Sequence, residues 1–152
     1  MRVVVQRVQC ASVDVGGQRI AHIEQGLLLL VGIAPDDGGV DLHRAARKLI
    51  DLRIFGDEDG KMNRSVRDIE GEVLAVSQFT LYGDTRRGRR PSFIGAAAPE
   101  IAEPVFDAFV DAMRNEGLKV QTGQFGAKMA VNLVNDGPVT LLMDVAPQPS
   151  VG

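Results

Sequence analysis

The longest apolar run of the chain, Gly26 to Ala34 (GLLLLVGIA), limits the possible folds more than any other feature. A helix that crosses a bilayer needs about 20 apolar residues, so this run is too short to span a membrane as a helix. It also lacks the alternation of polar and apolar residues that marks a strand with one solvated face. The run therefore predicts a strand over Gly26–Ile33 that is buried on both faces.

The segments around this run predict a mostly antiparallel sheet with two main helices, an α+β fold with barrel-like sheets. Gly16-Gly17 is a strong hairpin signal between two alternating segments. Strands are predicted at Arg2–Val8, Ala11–Val15, Gln18–Ile23, Glu72–Phe79, Leu118–Thr122, Ala127–Val134 and Val139–Val145.

Two stretches have apolar residues at helical spacing. The first begins near Asp41, and the residues predicted to face the core are Leu42, Ala45, Ala46, Leu49 and Ile50. The second spans about Glu100–Glu116, and the residues predicted to face the core are Ile101, Val105, Phe106, Phe109 and Met113. Pro104 is expected in the first turn of that helix or at a local restart, because proline disrupts a helix interior. Gly117 is expected to cap its C-terminus.

A chain of 152 residues with 45% hydrophobic and 24% charged residues is typical of one globular domain. We expect a single domain over residues 1–145 and a flexible C-terminal tail over 146–152. Cys10 is the only cysteine, which excludes an intrachain disulfide and favours a reducing cytoplasm. The N-terminus lacks the apolar run and cleavage site of a signal peptide.

Familiar catalytic motifs are missing from the sequence. It contains no HExxH, no GxSxG, no phosphate-binding P-loop and no dinucleotide fingerprint. With only His22 and His43 beside Cys10, a four-ligand Cys/His zinc site is excluded as well. Both histidines are expected to be structural or on the surface, and Cys10 to be a buried small hydrophobe. The sequence therefore offers no evident side chain for general acid–base catalysis.

Four arginines stand within five residues of a chain whose net charge is −3: Arg86, Arg87, Arg89 and Arg90, in the segment TRRGRRP. One interpretation is a solvated loop, which is common for a charge run. The other is a phosphate-binding loop that would give salt-sensitive RNA binding. The pattern alone leaves both open.

Two further segments place polar or conformationally special residues after apolar strands. Ser77–Leu81 (SQFTL) could be a solvated strand end, and Asn135–Thr140 (NDGPVT) could be a hairpin turn. The proline after Asp-Gly cannot donate to a strand ladder, and it raises the chance of a cis peptide bond.

Together, SQFTL and NDGPVT resemble the two signature motifs of the D-aminoacyl-tRNA deacylase family. The resemblance extends in order from Met1 to about Val145, through Arg7-Val8, Ala11–Val13, Leu52–Phe55, Gly60–Asn63, Arg90–Phe93 and Thr122–Ala127. Two departures are minor: Arg89 stands where the family often has Asn, and Gly83 where Ala is common.

The resemblance implies an enzyme that hydrolyses the ester between a D-amino acid and the terminal adenosine of tRNA. It also implies removal of glycine from mischarged tRNA, including glycyl-tRNA(Ala). The family acts as a homodimer with each active site at the subunit interface, and the resemblance implies no cofactor, no metal and no membrane association.

Residue roles follow by resemblance. Ser77, Gln78, Phe79 and Thr80 would line the reaction centre, and Phe125 would contact the terminal adenosine. Gly137 and Pro138, joined by a cis bond, would form a chirality gate that reaches into the partner subunit's pocket. The cluster Arg86, Arg87, Arg89 and Arg90 would bind tRNA.

The source of proton chemistry stays open. Thr80 could be the nucleophile, but it needs a base, and the chain supplies no evident one. We favour assistance by the ribose 2′-OH beside the ester, with the Phe79 and Thr80 N–H groups stabilising the oxyanion. One rival is a non-catalytic RNA- or DNA-binding module that uses the arginines. Another is a metal-dependent hydrolase built on Asp14, Asp84, Asp136 or Asp144.

Overall fold

The structure is a computed structural model that describes residues 1–149. Within them, ten regular elements follow in the order β1 (Arg2–Val15), β2 (Gln18–Ile23), β3 (Gly26–Gly32), α1 (Leu42–Ile50), β4 (Phe55–Gly56), β5 (Met62–Arg64), β6 (Glu72–Ser77), α2 (Pro99–Asn115), β7 (Val120–Thr122) and β8 (Ala130–Asp144). Residues 146–149 of the predicted tail carry no helix or strand, and residues 150–152 lie outside the described part.

The long strand β1 organises the main sheet. One edge of β1 pairs antiparallel with β3 and then β2, and its other edge pairs antiparallel with β8. β6 continues the sheet parallel to β3, and β7 lies parallel to β6. The His22 N–H donates to Gln121 Oε1 at 2.9 Å, and Gln121 Nε2 donates to the His22 carbonyl at 2.7 Å. These side-chain bonds join β2 to β7 and nearly close the sheet into a barrel, as the predicted fold class requires.

The strand β3 is buried on both faces, as its uninterrupted apolar sequence predicts. Leu27 and Leu29 belong to the core between the sheet and the two helices, whereas Leu28 belongs to a second core enclosed by the curved sheet. Each of these three side chains is no more than 1% exposed. Because β3 leads toward the functional site, its burial gives that site a rigid support.

The helix α1 begins after Asp41, whose carboxylate accepts a hydrogen bond from the Arg44 N–H at 3.0 Å. This is ordinary N-terminal capping by an aspartate. Of the five residues predicted to face inward, four are buried and Leu42 is half-buried.

The helix α2 differs from its prediction in two places. Ile101 is 42% exposed, because the buried stripe runs through Ala102, Phe106, Phe109 and Met113 instead. Pro104 is the sixth residue of the helix and not in its first turn. The carbonyl left without a donor belongs to the exposed Glu100, where water can satisfy it.

The strand β8 passes through NDGPVT without a hairpin, so the two strands predicted there are halves of one. Val8 of β1 pairs with Asn135, and Gln6 pairs with Thr140. The single residue Arg7 therefore faces the four residues 136–139, which bulge out of the ladder. No helix within residues 1–149 is long and apolar enough to span a bilayer.

Candidate active site

A cavity of about 520 Å³ lies at the carboxyl end of β6. Ser77, Gln78 and Phe79 form one wall, and Phe125 and Ala102 belong to the walls around it. The volume falls within the range of about 300–1,000 Å³ that small-molecule sites occupy. Three of the four residues predicted for the reaction centre therefore line one cavity.

The main chain turns sharply after β6. A 3-10 turn spans Phe79–Tyr82, and the Gln78 N–H donates to the Val31 carbonyl at 2.8 Å, which fixes the turn against β3. The next internal bonds run from the Leu81 N–H to the Gln78 carbonyl at 3.3 Å and from the Gly83 N–H to the Thr80 carbonyl at 2.9 Å.

The first N–H groups of such a turn have no acceptor within it. No hydrogen bond from the Phe79 or Thr80 N–H is found among residues 1–149. Phe79, which lines the cavity, and its neighbour Thr80 therefore each have a main-chain donor without an acceptor among residues 1–149. Adjacent main-chain donors of this kind can stabilise an oxyanion.

Thr80 stands at the rim and does not line the cavity. Its hydroxyl accepts a hydrogen bond from Gln78 Nε2, and the side chain is exposed. Within the described chain, no carboxylate or imidazole hydrogen-bonds this hydroxyl. The structure thus brings Thr80 close to the other three predicted residues but gives it no general base.

Phe125 is half-buried, and its ring lies 6.4 Å from that of Phe106 at 50°. Sequence analysis missed several cavity residues, which are Ile33, Ala97, Pro99, Ala102, Met129 and Val131. Alternation along the predicted strand Ala127–Val134 places Met129 and Val131 on one face, and this was the available signal. The small residues at the start of α2 carry no recognisable pattern.

The Gly137–Pro138 peptide bond is cis, as the resemblance implies. Both residues are exposed, and neither lines the cavity of its own chain. The structure therefore does not bring the two signature motifs together within one copy of the chain.

Arg7 braces the segment that contains this bond. Its Nε donates to the Asp136 carbonyl at 2.9 Å and lies 3.3 Å from Asp136 Oδ2. Its Nη1 donates to the Ile54 carbonyl at 2.7 Å. Arg7 had no predicted role, although an arginine within an apolar alternating strand was a visible signal.

Asn135 supports the same segment from the other side. Its Nδ2 donates to the Arg7 carbonyl at 3.1 Å and to the Val139 carbonyl at 3.0 Å. A Cβ on Gly137 would lie 1.9 Å from Val139 N and 3.0 Å from Asn135 Oδ1. Only glycine fits there without moving the main chain.

The four arginines lie on a loop, residues 84–92, that we call the arginine loop. It is closed by main-chain bonds from Asp84 N to the Ser92 carbonyl at 2.7 Å and from Ser92 N to the Asp84 carbonyl at 2.9 Å. Arg86 Nη2 pairs with Asp84 Oδ2 at 2.7 Å, and the Arg86 hydrogen bonds lower the pKa of Asp84 to about 2. Arg87, Arg89 and Arg90 are exposed and make no ion pair within residues 1–149.

The four aspartates considered for a metal site do not converge. Each one lies against a different arginine, in the pairs Asp14–Arg19, Asp84–Arg86, Asp136–Arg7 and Asp144–Arg2. No group of three or more His, Cys, Asp or Glu side chains within residues 1–149 could hold a metal ion.

The remaining polar candidates lie outside the cavity lining. His22 and His43 are exposed, and His22 Nε2 lies 2.7 Å from Glu24 Oε1. Cys10, predicted to be a buried small hydrophobe, is half-buried on β1, and the β1–β8 register shifts between Val8 and Cys10.

Known proteins resemble this chain in sequence and in fold. Residues 4–144 match the family model described as D-Tyr-tRNA(Tyr) deacylase. The D-aminoacyl-tRNA deacylase of Thermosipho africanus (strain TCF52B) is 58% identical over 144 residues, which cover 95% of this chain and 97% of that protein.

Two solved structures are similar over nearly the whole length. One, named c-Myc DNA Unwinding Element Binding Protein, has a TM-score of 0.87 and 41% identity, and the match covers 99% of this chain and 100% of that one. The other, named as a probable eukaryotic D-amino acid tRNA deacylase, has a TM-score of 0.82 over 93% of this chain and 97% of that one. At 17% identity, the second shows the fold alone. The chain therefore belongs to the D-Tyr-tRNA(Tyr) deacylase family.

Proposed function

We propose that this chain is a D-aminoacyl-tRNA deacylase, which hydrolyses the ester between a D-amino acid and the terminal adenosine of tRNA. Family membership and the name of its 58%-identical relative support the activity. The observation that carries the proposal is that the N–H groups of Phe79 and Thr80, beside the cavity, have no acceptor among residues 1–149. When water attacks the ester carbonyl, its oxygen becomes negative, and these donors stabilise that charge.

The ribose 2′-OH assists the reaction in place of a side-chain base. Water bonds to the carbonyl carbon, the ester C–O bond breaks, and the water proton passes to the departing ribose oxygen with help from the neighbouring hydroxyl. Positioning contributes about 7–11 kcal/mol in favourable cases, and one oxyanion donor about 2.7–4 kcal/mol. Both sources act without a catalytic histidine or carboxylate.

The terminal adenosine occupies the cavity against Phe125. The half-buried ring of Phe125 offers an apolar face, and base–aromatic stacking contributes about 1–3 kcal/mol. Ser77 and Gln78 supply polar side chains to the same lining. The base thereby positions the ester at the Phe79–Thr80 turn.

The Gly137–Pro138 segment of a partner subunit selects the hand of the amino acid. Its main-chain carbonyl oxygens accept hydrogen bonds from the substrate ammonium, which fixes the position of Cα. An L side chain is then directed into the main chain, whereas a D side chain points away. Glycine has no side chain to reject, so glycyl-tRNA, including glycine mischarged on tRNA(Ala), is cleaved as well.

A homodimer supplies this arrangement. Gly137 and Pro138 are exposed and do not line the cavity of their own chain. The strand β8 carries four exposed large apolar side chains, Leu133, Val134, Leu141 and Leu142, and within residues 1–149 only β1 pairs with it. A second copy covering β8 would bury these side chains and complete both active sites by two-fold symmetry. We assign this dimer to the reducing cytoplasm, where a single free cysteine is ordinary.

The direct test is release of amino acid from D-tyrosyl-tRNA and L-tyrosyl-tRNA with chelator present. We expect hydrolysis of the D ester only. If neither ester is hydrolysed, the proposal of a deacylase is wrong. If the chelator abolishes the activity, the alternative of a metal-dependent hydrolase is supported.

A second assay addresses the 2′-OH. D-aminoacyl-tRNA that ends in 2′-deoxyadenosine should be cleaved far more slowly than the normal substrate. Full activity on it would assign the proton chemistry to Thr80 or another side chain.

A non-catalytic nucleic-acid-binding module is the second candidate. It is favoured by the arginine loop and by similarity to the structure named c-Myc DNA Unwinding Element Binding Protein. That function predicts nucleic-acid binding and no release of D-tyrosine, so the D-tyrosyl-tRNA assay also separates the two candidates.

A further inference from the structure

Beside the cavity lies an exposed apolar surface made of Phe79, Phe93 and Ile94, which we call the apolar platform. Their exposed fractions are 56%, 40% and 90%. An isoleucine that is 90% exposed contributes nothing to the folded core, so its apolar surface is available to a ligand or partner. Phe79 belongs both to this platform and to the cavity wall.

The platform is held rigidly. The Phe93 ring meets the Phe79 ring edge-to-face, with centroids 5.3 Å apart and planes at 75°. A Cβ on Gly83 would lie 3.0 Å from Phe93 Cε1, so the ring uses the space that a side chain would take. Ala96 N donates to the Phe93 carbonyl at 3.0 Å, and Ala97 N donates to the Ile33 carbonyl at 2.9 Å. These bonds tie the segment after Phe93 to the end of β3.

Positive charge adjoins the platform. The arginine loop leads directly into Phe93, and its closing bonds between Asp84 and Ser92 hold the two parts together. Arg86 is neutralised by Asp84, which leaves the exposed Arg87, Arg89 and Arg90 for an anionic partner.

Unpaired nucleotides fit this combination of charge and apolar surface. Their bases stack on aromatic and apolar side chains, while their phosphates pair with arginine. A duplex would contact the arginines only, because its bases are stacked on one another. An acidic peptide would satisfy the arginines, but it offers a flat group to Phe93 only where it happens to carry an aromatic residue, whereas every nucleotide carries one.

We propose that Phe93, Ile94 and the exposed Arg87, Arg89 and Arg90 bind the unpaired nucleotides that precede the terminal adenosine of the tRNA substrate. The inference rests on the proposed function, which puts the adenosine in the cavity. Because Phe79 is common to the cavity and the platform, the preceding bases pass over Phe93 and Ile94 as the strand leaves the cavity. Their phosphates then face the arginine loop.

The test compares two RNA hairpins with the same stem. One ends in a single unpaired adenosine and the other in unpaired CCA, and fluorescence anisotropy measures the affinity for each. The wild-type protein should bind the CCA hairpin more tightly. Phe93→Leu, which keeps bulk against Phe79, should reduce that preference by about 5-fold to 150-fold, the range for loss of base–aromatic stacking. Ile94→Ala should also reduce that preference, by a smaller factor, because an isoleucine offers apolar contact but no aromatic ring. Ile20→Ala, at a 43%-exposed isoleucine on β2, is the matched control and should keep it.

Equal wild-type affinity for the two hairpins, or an undiminished preference in both variants, overturns the proposal. A change of oligomeric state in Ile94→Ala, seen by sedimentation velocity, also overturns it, because the platform would then contact protein. The deacylase assay is a separate readout. If the protein prefers the CCA hairpin but releases no D-tyrosine, the nucleotide-binding platform is supported and the deacylase function is rejected. If it releases D-tyrosine but shows no preference for CCA, the deacylase function is supported and the platform is rejected.

Discussion

The two signature segments differ in how their main chains are used. Ser77–Leu81 lies against the cavity of its own chain, with two N–H groups that have no acceptor among the described residues. Asn135–Thr140 lies apart from that cavity and bulges out of β8. In the second segment the main chain is braced, since Arg7 binds the Asp136 carbonyl and Asn135 binds the Val139 carbonyl.

This difference indicates two tasks. The first segment leaves its donors open, as a group that stabilises developing charge must. The second is held in one conformation and exposed, as a rigid selector that acts on another molecule must be. In the proposed homodimer, one chain would therefore supply its two segments to two different active sites.

The largest effect should come from removing one open donor. Phe79→Pro deletes the Phe79 N–H, and the preceding Gln78, with φ −140° and ψ 79°, lies outside the α region that proline disfavours. We expect kcat to fall by about 10²–10³ relative to Phe79→Leu, which keeps the N–H. Single-turnover hydrolysis of D-tyrosyl-tRNA measures the difference, and equal rates for the two variants would remove the oxyanion role.

The rigid segment should respond nearly as strongly to one methyl group. Gly137→Ala puts a Cβ 1.9 Å from Val139 N, so the main chain must move. A displacement of about 1 Å can cost about 10²-fold in rate, and we expect that loss in kcat/KM. Gly38→Ala is the control, because a Cβ there meets nothing within 4 Å. Normal kinetics in Gly137→Ala would mean that this segment does not touch the substrate.

Loosening the brace should have a smaller effect. Arg7→Ala leaves the Asp136 and Ile54 carbonyls without their donor, which costs about 1–3 kcal/mol. We expect about a 10-fold loss in the ratio of D to L hydrolysis, with thermal unfolding measured in parallel. Arg19→Ala removes an exposed pair with Asp14 and should change neither quantity. A lowered melting temperature with unchanged selectivity would make Arg7 a structural residue only.

Substitutions in the arginine loop should have the smallest effect, and the effect should differ between Arg86 and the other three arginines. Replacing Arg87, Arg89 and Arg90 with Ala should raise KM several-fold and reduce the salt slope of log kcat/KM by about 2, at roughly 0.7 per phosphate contact. Arg86→Ala should change the slope less, because Asp84 already neutralises that charge. A slope that is the same in wild type and the triple variant would make the loop a solvated surface.

Much of the fold followed from local pattern. The apolar run of β3, the Gly16-Gly17 turn and the stripe of α1 each record in the sequence which face is buried. The prediction was wrong at Ile101 because apolar residues at helical spacing do not show which of two neighbouring positions faces the core. Ala102 is small but apolar, so it can be buried there as well as a larger residue. The prediction divided β8 in two because Asp-Gly-Pro signals a turn, whereas the pairing of both halves with β1 depends on distant residues.

The candidate site, like the fold, has a part that the sequence predicted and a part that it did not. Motif resemblance identified Ser77, Gln78, Phe79 and Phe125, which the structure brings to one cavity. The contributions of Arg7 and of Ala97, Pro99 and Ala102 could not be predicted, because they arise from distances between segments far apart in the chain. The unpaired N–H groups of Phe79 and Thr80 are properties of the main chain, which no side-chain pattern records.

Subunit complementation tests the shared site most directly. Phe79→Pro and Gly137→Ala subunits, each expected to retain no more than about a hundredth of wild-type activity alone, are mixed under conditions that allow exchange. A site built from two chains predicts recovery of roughly a quarter of wild-type activity, because half of the dimers are mixed and each has one intact site. If the exchanged mixture, verified by mass spectrometry, shows no recovery, then both segments act within one chain, and the proposal of a site shared between subunits is wrong.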